Sequence, residues 1–206
     1  MNKDMCYSTI YYSTIYQSPA GALTLASDGG NLIGLWLEGQ KYHGGAIAGQ
    51  MAVKDGAPVK NGVPAKNEKP QNAPPVLDAA RRWLDRYFAG GKPAVSELPL
   101  APAGAGGFRQ SVWEILCGIP YGKTTTYGEI AKKLAAKMGR KTMSAQAVGG
   151  AVGHNPISII IPCHRVVGAS GSLTGYAGGI ATKKKLLELE GVDLSRFFVP
   201  KKGTAL

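Results

Sequence analysis

HNPISIIIPCHRVVG, residues 154–168, is the stretch on which the reading of the chain turns. A thiol, an imidazole and a guanidinium stand side by side at Cys163, His164 and Arg165, between a β-branched run and a valine pair. The apolar run 157–161 predicts a short buried strand. A buried cysteine is ordinarily inert packing. Here its neighbours matter: the thiolate is the reactive form, and a basic partner favours it, so Cys163 is a candidate nucleophile. Successive side chains on a strand face opposite ways, so His164 serves Cys163 only if Pro162 bends the chain.

Outward from this stretch the second half of the chain reads as mostly helical. Downstream, GASGSLTGYAGG is a glycine-rich loop and ATKKKLLELEG a last helix stopped by Gly191. Upstream, FRQSVWEILCGI puts Phe108, Val112, Ile115, Leu116 and Ile119 on one helical face. TYGEIAKKLAAKMG follows, with Thr126 three residues before Glu129, a capping-box spacing. Its apolar face is Ile130, Ala131, Leu134 and Met138. After the basic turn GRKTM, Ser144 opens SAQAVGGAVGHN, a short helix of very small residues ended by Asn155-Pro156. Helix, short turn, helix is the layout of a helix-turn-helix. A helix that reads base edges carries Arg, Asn or Gln, whereas small residues let its backbone press against a sugar-phosphate surface or a packed core.

The first half opens with a tandem YSTIY, too few copies for a solenoid. A first strand is expected near 15–18. GALTLASD and NLIGLWLEG then form a hairpin through the turn 28–31. Residues 44–75, rich in Gly, Pro, Ala, Lys and Asn, read as a long surface loop. Leu77, Ala80, Trp83, Leu84, Tyr87 and Phe88 form a helical stripe ended by Gly90-Gly91. A Pro/Gly/Ala-rich linker then places a domain boundary near 100–107.

The chain has 206 residues and a net charge of +11. The charge is uneven: residues 1–107 carry 10 Lys/Arg against 8 Asp/Glu, and residues 108–206 carry 14 against 5. A basic half on a near-neutral half points to a polyanion partner, or to a solvated lysine-rich surface. No apolar run is long enough to span a membrane. No signal peptide is read at the N-terminus, and the expected location is cytoplasmic. Cys6, Cys117 and Cys163 are an odd number without paired spacing, which argues for free thiols in a reducing compartment. Neither they nor the three histidines show a closed zinc-site spacing, so no metal is expected.

IPCHRVV, preceded by NP and followed by SLTGYAGG and LLELEG, resembles the O6-alkylguanine-DNA alkyltransferase family. The resemblance is close over 108–198 and weaker before it. It implies an α+β chain: an N-terminal RNase-H-like domain of small sheet plus helix over 1–100, a C-terminal winged-helix domain over 108–198, and a tail at 199–206. By the same resemblance the chain is a DNA repair methyltransferase. It moves the alkyl group of O6-alkylguanine irreversibly to its own Cys163, once per molecule, with no cofactor. The partner is double-stranded DNA, held through the minor groove with the damaged base flipped out, and the protein is a monomer. O4-alkylthymine is left open as a second substrate.

Site roles follow from the resemblance residue by residue. Cys163 is the acceptor, His164 takes the thiol proton through a water, and Glu190 orients His164. Asn155 braces the active-site strand, and the Tyr127 hydroxyl helps guanine leave. Tyr176, Ala177, Gly178 and Val166 line the substrate pocket. Lys141, Ser144, Ala145, Gln146, Ala147, Gly149 and Arg109 contact DNA. Arg165 ties the strand to the rest of the domain. One position departs from the pattern: Gln146 stands where the family often has an Arg that fills the gap left by the flipped base. The alternatives are a non-catalytic lesion-binding relative, a self-alkylating transcription regulator and a cysteine hydrolase. The presence of Cys163, the lack of room for a regulator domain, and the absence of a separate histidine downstream of the Cys-His pair argue against them in turn.

Overall fold

The computed structural model describes residues 10–50, 58–60, 63–64 and 74–200. The first half is a five-stranded antiparallel sheet in the order β3-β2-β1-β4-β5 with one long helix. β1 (Ile10–Ser18) starts earlier than expected, so the second YSTIY copy lies within it. It returns through a two-residue turn into β2 (Gly21–Ser27), with Ser18 opposite Gly21. β3 (Leu32–Leu37) completes the expected hairpin, and Asp28 accepts backbone N–H bonds from Gly30 and Asn31 in the turn. β3 feeds both faces by alternation, Leu35 and Leu37 to the main core and Trp36 to a second cluster with Ala26 and Ile47, and a register shift opposite Ala26/Ser27 puts Ile33 on the same face as Trp36.

The reading of 44–75 as one loop is corrected in part. A 3-10 helix (Gly45–Gln50) and the short strands β4 (Pro58–Lys60) and β5 (Val63–Pro64) lie within it, and β4 pairs with β1. Residues 51–57, 61–62 and 65–73 of that stretch lie outside the described residues, as does Cys6. Periodicity cannot reveal strands of two or three residues, which exist only because a neighbouring strand offers hydrogen bonds.

α1 (Pro75–Phe88) starts on a proline, whose missing N–H costs nothing in a first turn. It buries the expected stripe against the sheet, with Phe88 only partly covered. α2 (Gly107–Cys117) buries Val112, Trp113 and Leu116, and the Trp113 indole donates to the Ala151 carbonyl at 2.9 Å. β6 (Thr125–Thr126) leads into α3 (Tyr127–Lys137). The Thr126–Glu129 capping box is present. Met138 is a correction: it is 42% exposed, and Ala135 takes the buried position. It caps the helix with non-helical ψ, so the stripe ends before it. α4 (Ala145–Gly153) is capped by the Ser144 hydroxyl, which accepts from Ala147 N. α5 (Ile180–Leu189) is the last α-helix among the described residues, and a 3-10 turn at Leu194–Arg196 follows it.

Residues 157–161 are not a strand, and this is the main correction. Only Ile157 pairs, in an isolated parallel bridge with Leu35 of β3. The remaining residues coil around the side chain of Asn155. Its amide nitrogen donates to the Ile157 and Ile161 carbonyls, and its oxygen accepts from Ile157 N. Ile159 adopts φ of +70°, rare for a β-branched residue. A local side-chain amide here outcompetes a ladder partner for the backbone. Beyond Pro162, Cys163–Arg165 is a single 3-10 turn and β7 (Val166–Val167) pairs in parallel with β6. The chain therefore bends at Pro162, the condition under which His164 shares the side of Cys163.

The edge of β3 is covered by the second half of the chain. Leu35 N donates to Pro156 O at 2.8 Å, and Ser158 N to Leu35 O at 2.8 Å. One apolar core runs through both halves, from Leu23 and Leu77 to Ile130, Val152 and Leu186. No described helix is long and apolar enough to cross a membrane.

Candidate active site

Three elements converge on the Cys163 turn: the Asn155 coil, the N-terminus of α3 behind β6–β7, and the C-terminus of α5. Cys163 is 5% exposed and its sulfur accepts the Asn155 amide at 3.0 Å. Burial pushes the thiol up, while the Asn155 hydrogen bond and the Lys183 charge pull it back. Asn155 thus joins the fold of the coil to the electronics of the sulfur.

His164 is fully buried, with Nε2 at 2.7 Å from Glu190 Oε1. Burial lowers its pKa against the pull of Glu190, which favours the neutral ring. A carboxylate oxygen accepts, so Nε2 carries the hydrogen and Nδ1 is the basic nitrogen. Nδ1 has no hydrogen-bond partner among the described residues. Glu190 is a buried carboxylate with every lone pair addressed. It accepts from His164, from Arg165 Nε and Nη2 at 2.8 and 2.9 Å, from the Tyr87 hydroxyl at 2.8 Å and from Gly122 N at 3.1 Å. Burial raises this carboxyl, but the His164 and Arg165 hydrogen bonds outweigh it together and hold it at about 2. Arg165 also donates to Ile119 O at 2.6 Å, which fits the tying role read for it.

The Tyr127 hydroxyl donates to the Thr174 carbonyl at 3.1 Å, and burial first, then the nearness of Cys163, pushes it to about 12. A Cβ on Gly175 would lie 2.2 Å from that hydroxyl, so the glycine is required for the approach. Tyr176 is 1% exposed and sets its ring edge-on to His164 at 6.4 Å. Ala177 and Gly178 are half-buried beside it, and Val166 is buried at the end of the turn. These residues, with Cys163, His164, Glu190 and Asn155, form one cluster. Ser144, Ala145, Gln146 and Ala147 are exposed on and before the first turn of α4, and Gly149 packs near the Tyr127 ring. Lys141 and Arg109 are exposed on separate elements, the turn before α4 and the start of α2.

Two site residues escaped the sequence reading. Lys183 is completely buried, and its ammonium donates to the Val166 and Thr174 carbonyls at 2.5 and 2.6 Å. Burial lowers it to about 8, against the pull of Cys163. Helical spacing was the available signal, since Lys183 lies three and four residues before the buried Leu186 and Leu187. Tyr87, from α1 of the first half, gave no such signal: it reads as one more core aromatic. Cys117 is half-buried and lines a cavity of about 620 Å³ with Trp83, Lys92, Tyr121 and Arg165. No described His, Cys, Asp and Glu group of three or more is placed to hold a metal ion.

Comparison with known proteins gives this geometry a lineage. Residues 10–102 match the ribonuclease-like domain of 6-O-methylguanine DNA methyltransferase, and residues 107–192 match the DNA binding domain of the same family. A methylated-DNA–protein-cysteine methyltransferase of Haemophilus influenzae is 38% identical over 184 residues, 89% of this chain and 88% of that one. The Mycobacterium bovis protein of the same name is 42% identical over 181 residues, 88% of this chain and 92% of its own. Among solved structures, the Mycobacterium tuberculosis O6-methylguanine methyltransferase superposes with a TM-score of 0.65 at 39% identity, covering 93% of this chain and 96% of that one. A Mycobacterium tuberculosis OGT in complex with DNA superposes with a TM-score of 0.66 at 39% identity, covering 90% and 94%. With both domains matched and the likeness carried over nearly the full length of its relatives, this chain belongs to the 6-O-methylguanine DNA methyltransferase family.

Proposed function

We propose that the chain repairs O6-alkylguanine in double-stranded DNA by moving the alkyl group to Cys163 Sγ. The observation that carries this reading is the buried Cys163–His164–Glu190 cluster, with Nε2 of the imidazole committed to a carboxylate and Nδ1 left as the base. The thiol proton passes to Nδ1 through a water. The sulfur then attacks the alkyl carbon, a C–S bond forms, and the C–O6 bond breaks with its electron pair going to guanine. Tyr127 protonates the departing base and is reprotonated from His164, so the sum is thiol plus alkylated guanine going to thioether plus guanine. A thioether is not cleaved by any group in this site, so each molecule acts once. Lys183 lies close enough to favour the thiolate electrostatically. Asn155 holds the sulfur while its own backbone coil is being held.

DNA is received on α4, in the minor groove. Support comes from the exposed Ala145, Ala147 and Gly150, whose small side chains allow close backbone approach, and from the basic second half. The direct test is intact mass after mixing with a duplex that carries O6-methylguanine. The chain should gain one methyl group, mapped to the peptide holding Cys163. A chain that binds the duplex and gains no mass would refute transfer.

Gln146 carries a separate expectation. Flipping a base costs a few kcal/mol, less for a damaged one. A cationic side chain in the vacated site offsets part of that through nearby phosphates, whereas Gln146 offers hydrogen bonds alone. Gln146→Arg should therefore speed single-turnover reaction with duplex DNA and leave reaction with free O6-methylguanine unchanged. Equal proportional changes on both substrates would make Gln146 a structural residue only.

A further inference from the structure

The first half of the chain is close to neutral, and nothing in its sequence marks it as touching DNA. Its loop 38–43, after β3, is nevertheless fixed against the end of α4. Gln40 is buried, and its side-chain oxygen accepts from Leu37 N at 3.1 Å and from the Ser158 hydroxyl at 2.9 Å. Lys41 N donates to the Ala177 carbonyl at 3.1 Å. His43 lies 3.3 Å from the Thr24 hydroxyl, with its ring tilted on Trp36. Pinned on three sides, the loop forces Tyr42 to φ of +62°, a left-handed conformation that a bulky residue avoids. Strain of this kind persists only where the surroundings over-determine it, and it clusters at functional sites.

The strained residue is also an exposed one. Tyr42 is 43% exposed and stacks on His154, ring centroids 4.1 Å apart and planes 20° apart. The Lys41 ammonium sits 5.2 Å from the centroid of the Tyr42 ring, within cation–π range. His154 follows α4 directly and donates Nδ1–H to the Gly150 carbonyl at 2.7 Å, so Nε2 faces away from the helix end. Gly150 and His154 are four residues apart, and Gln146 four before Gly150, so the exposed face of α4 runs on to His154. The stack therefore continues that face onto the first half of the chain. Glu38 is the acidic residue of this loop and is exposed.

We propose that Lys41, held over the Tyr42 ring that stacks on His154, takes a backbone phosphate of the DNA duplex and so extends the DNA interface onto the N-terminal half. This rests on the reading that α4 enters the groove. The tyrosine ring acts as a rigid spacer: it limits the freedom of the Lys41 side chain, which would otherwise be lost on binding. The partner is identified by charge and by continuity with the α4 face.

The test uses the full chain, Lys41→Ala and Tyr42→Gly, with two readouts. One is affinity for a short duplex carrying O6-methylguanine across a salt series. The other is the transfer rate from the free O6-methylguanine base. Lys41→Ala should weaken duplex binding about 3–10-fold and make the plot of log K against log salt shallower by about 0.9, one phosphate's worth. Its rate on the free base should stay as in the parent. Tyr42→Gly suits a left-handed φ, so its Tm should be equal or higher while duplex binding weakens. Unchanged duplex affinity and salt slope in both variants would overturn the proposal. So would equal losses on duplex and free base, or a lower Tm for Tyr42→Gly, because the stack would then be packing between the two halves. A parent that reacts with free base yet does not bind duplex would overturn the α4 reading and this proposal together. A parent that binds, with variants that match it, overturns the Lys41 contact alone.

Discussion

Cys163→Ala is expected to take up no methyl group from O6-methylguanine DNA and to bind that DNA as the parent does. The sulfur is the only acceptor the mechanism provides. The change removes one buried atom and one acceptor of the Asn155 amide, which keeps the Ile157 and Ile161 carbonyls. The local coil therefore stays satisfied, and the cost to stability is that of a single hydrogen bond, about 1 kcal/mol. The α4 face is untouched. Intact mass and a gel-shift assay on the same samples check both halves of the expectation. Methyl uptake by the variant would refute Cys163 as the acceptor, whichever residue carried it. Cys117 is poorly suited to substitute: burial pushes its thiol up, and Glu114 adds to the effect.

Glu190→Gln should slow transfer by about 10²–10⁴-fold, the usual worth of a general base. The carboxylate stabilises the imidazolium that forms when Nδ1 takes the proton, and a neutral amide cannot. The same change leaves the Arg165 guanidinium buried without its counter-charge, and breaking a buried pair from one side costs about 3–5 kcal/mol. Chemistry and stability are separated by Arg165→Gln, which breaks the same ion pair and keeps the His164–Glu190 bond. If Arg165→Gln slows the folded protein as much as Glu190→Gln does, Glu190 acts through the fold and not through His164. The acid limb gives a second readout. In the unfolded chain a glutamate takes up its proton near 4.3, whereas folded Glu190 resists to about 2. A lowered native pKa means stability that is present above the unfolded value and is lost as pH falls toward the folded one. Denaturation between about pH 4.3 and 2 should therefore be shallower in Glu190→Gln than in the parent, and identical acid limbs would argue against a depressed Glu190.

What the sequence determined by itself is whatever is decided within one or two helical turns. The α1 stripe, the Thr126–Glu129 box, the Ser144 cap and the turn 28–31 all rest on contacts three or four residues apart, and each is present. The candidate nucleophile was legible for the same reason, since Cys163, His164 and Arg165 are neighbours in the chain. The family resemblance reached further, to Glu190 and Asn155, but as residues without positions.

Tertiary structure alone decided how those residues meet. The run 157–161 carries a strand's composition, yet the Asn155 amide captures its carbonyls and the coil delivers Cys163 on a turn. An apolar run reports burial, not the hydrogen-bond partner. Tyr87 reaches Glu190 across 103 residues of sequence, and Gln40 reaches Ser158 across 118. No local pattern encodes such pairs. Lys183 is one of three consecutive lysines, and only the turn of α5 sends it inward to two carbonyls while Lys184 and Lys185 face solvent. The strained Tyr42 follows the same logic, because the left-handed tyrosine comes directly after Gln40 and Lys41, whose partners Ser158 and Ala177 lie in the other half of the chain.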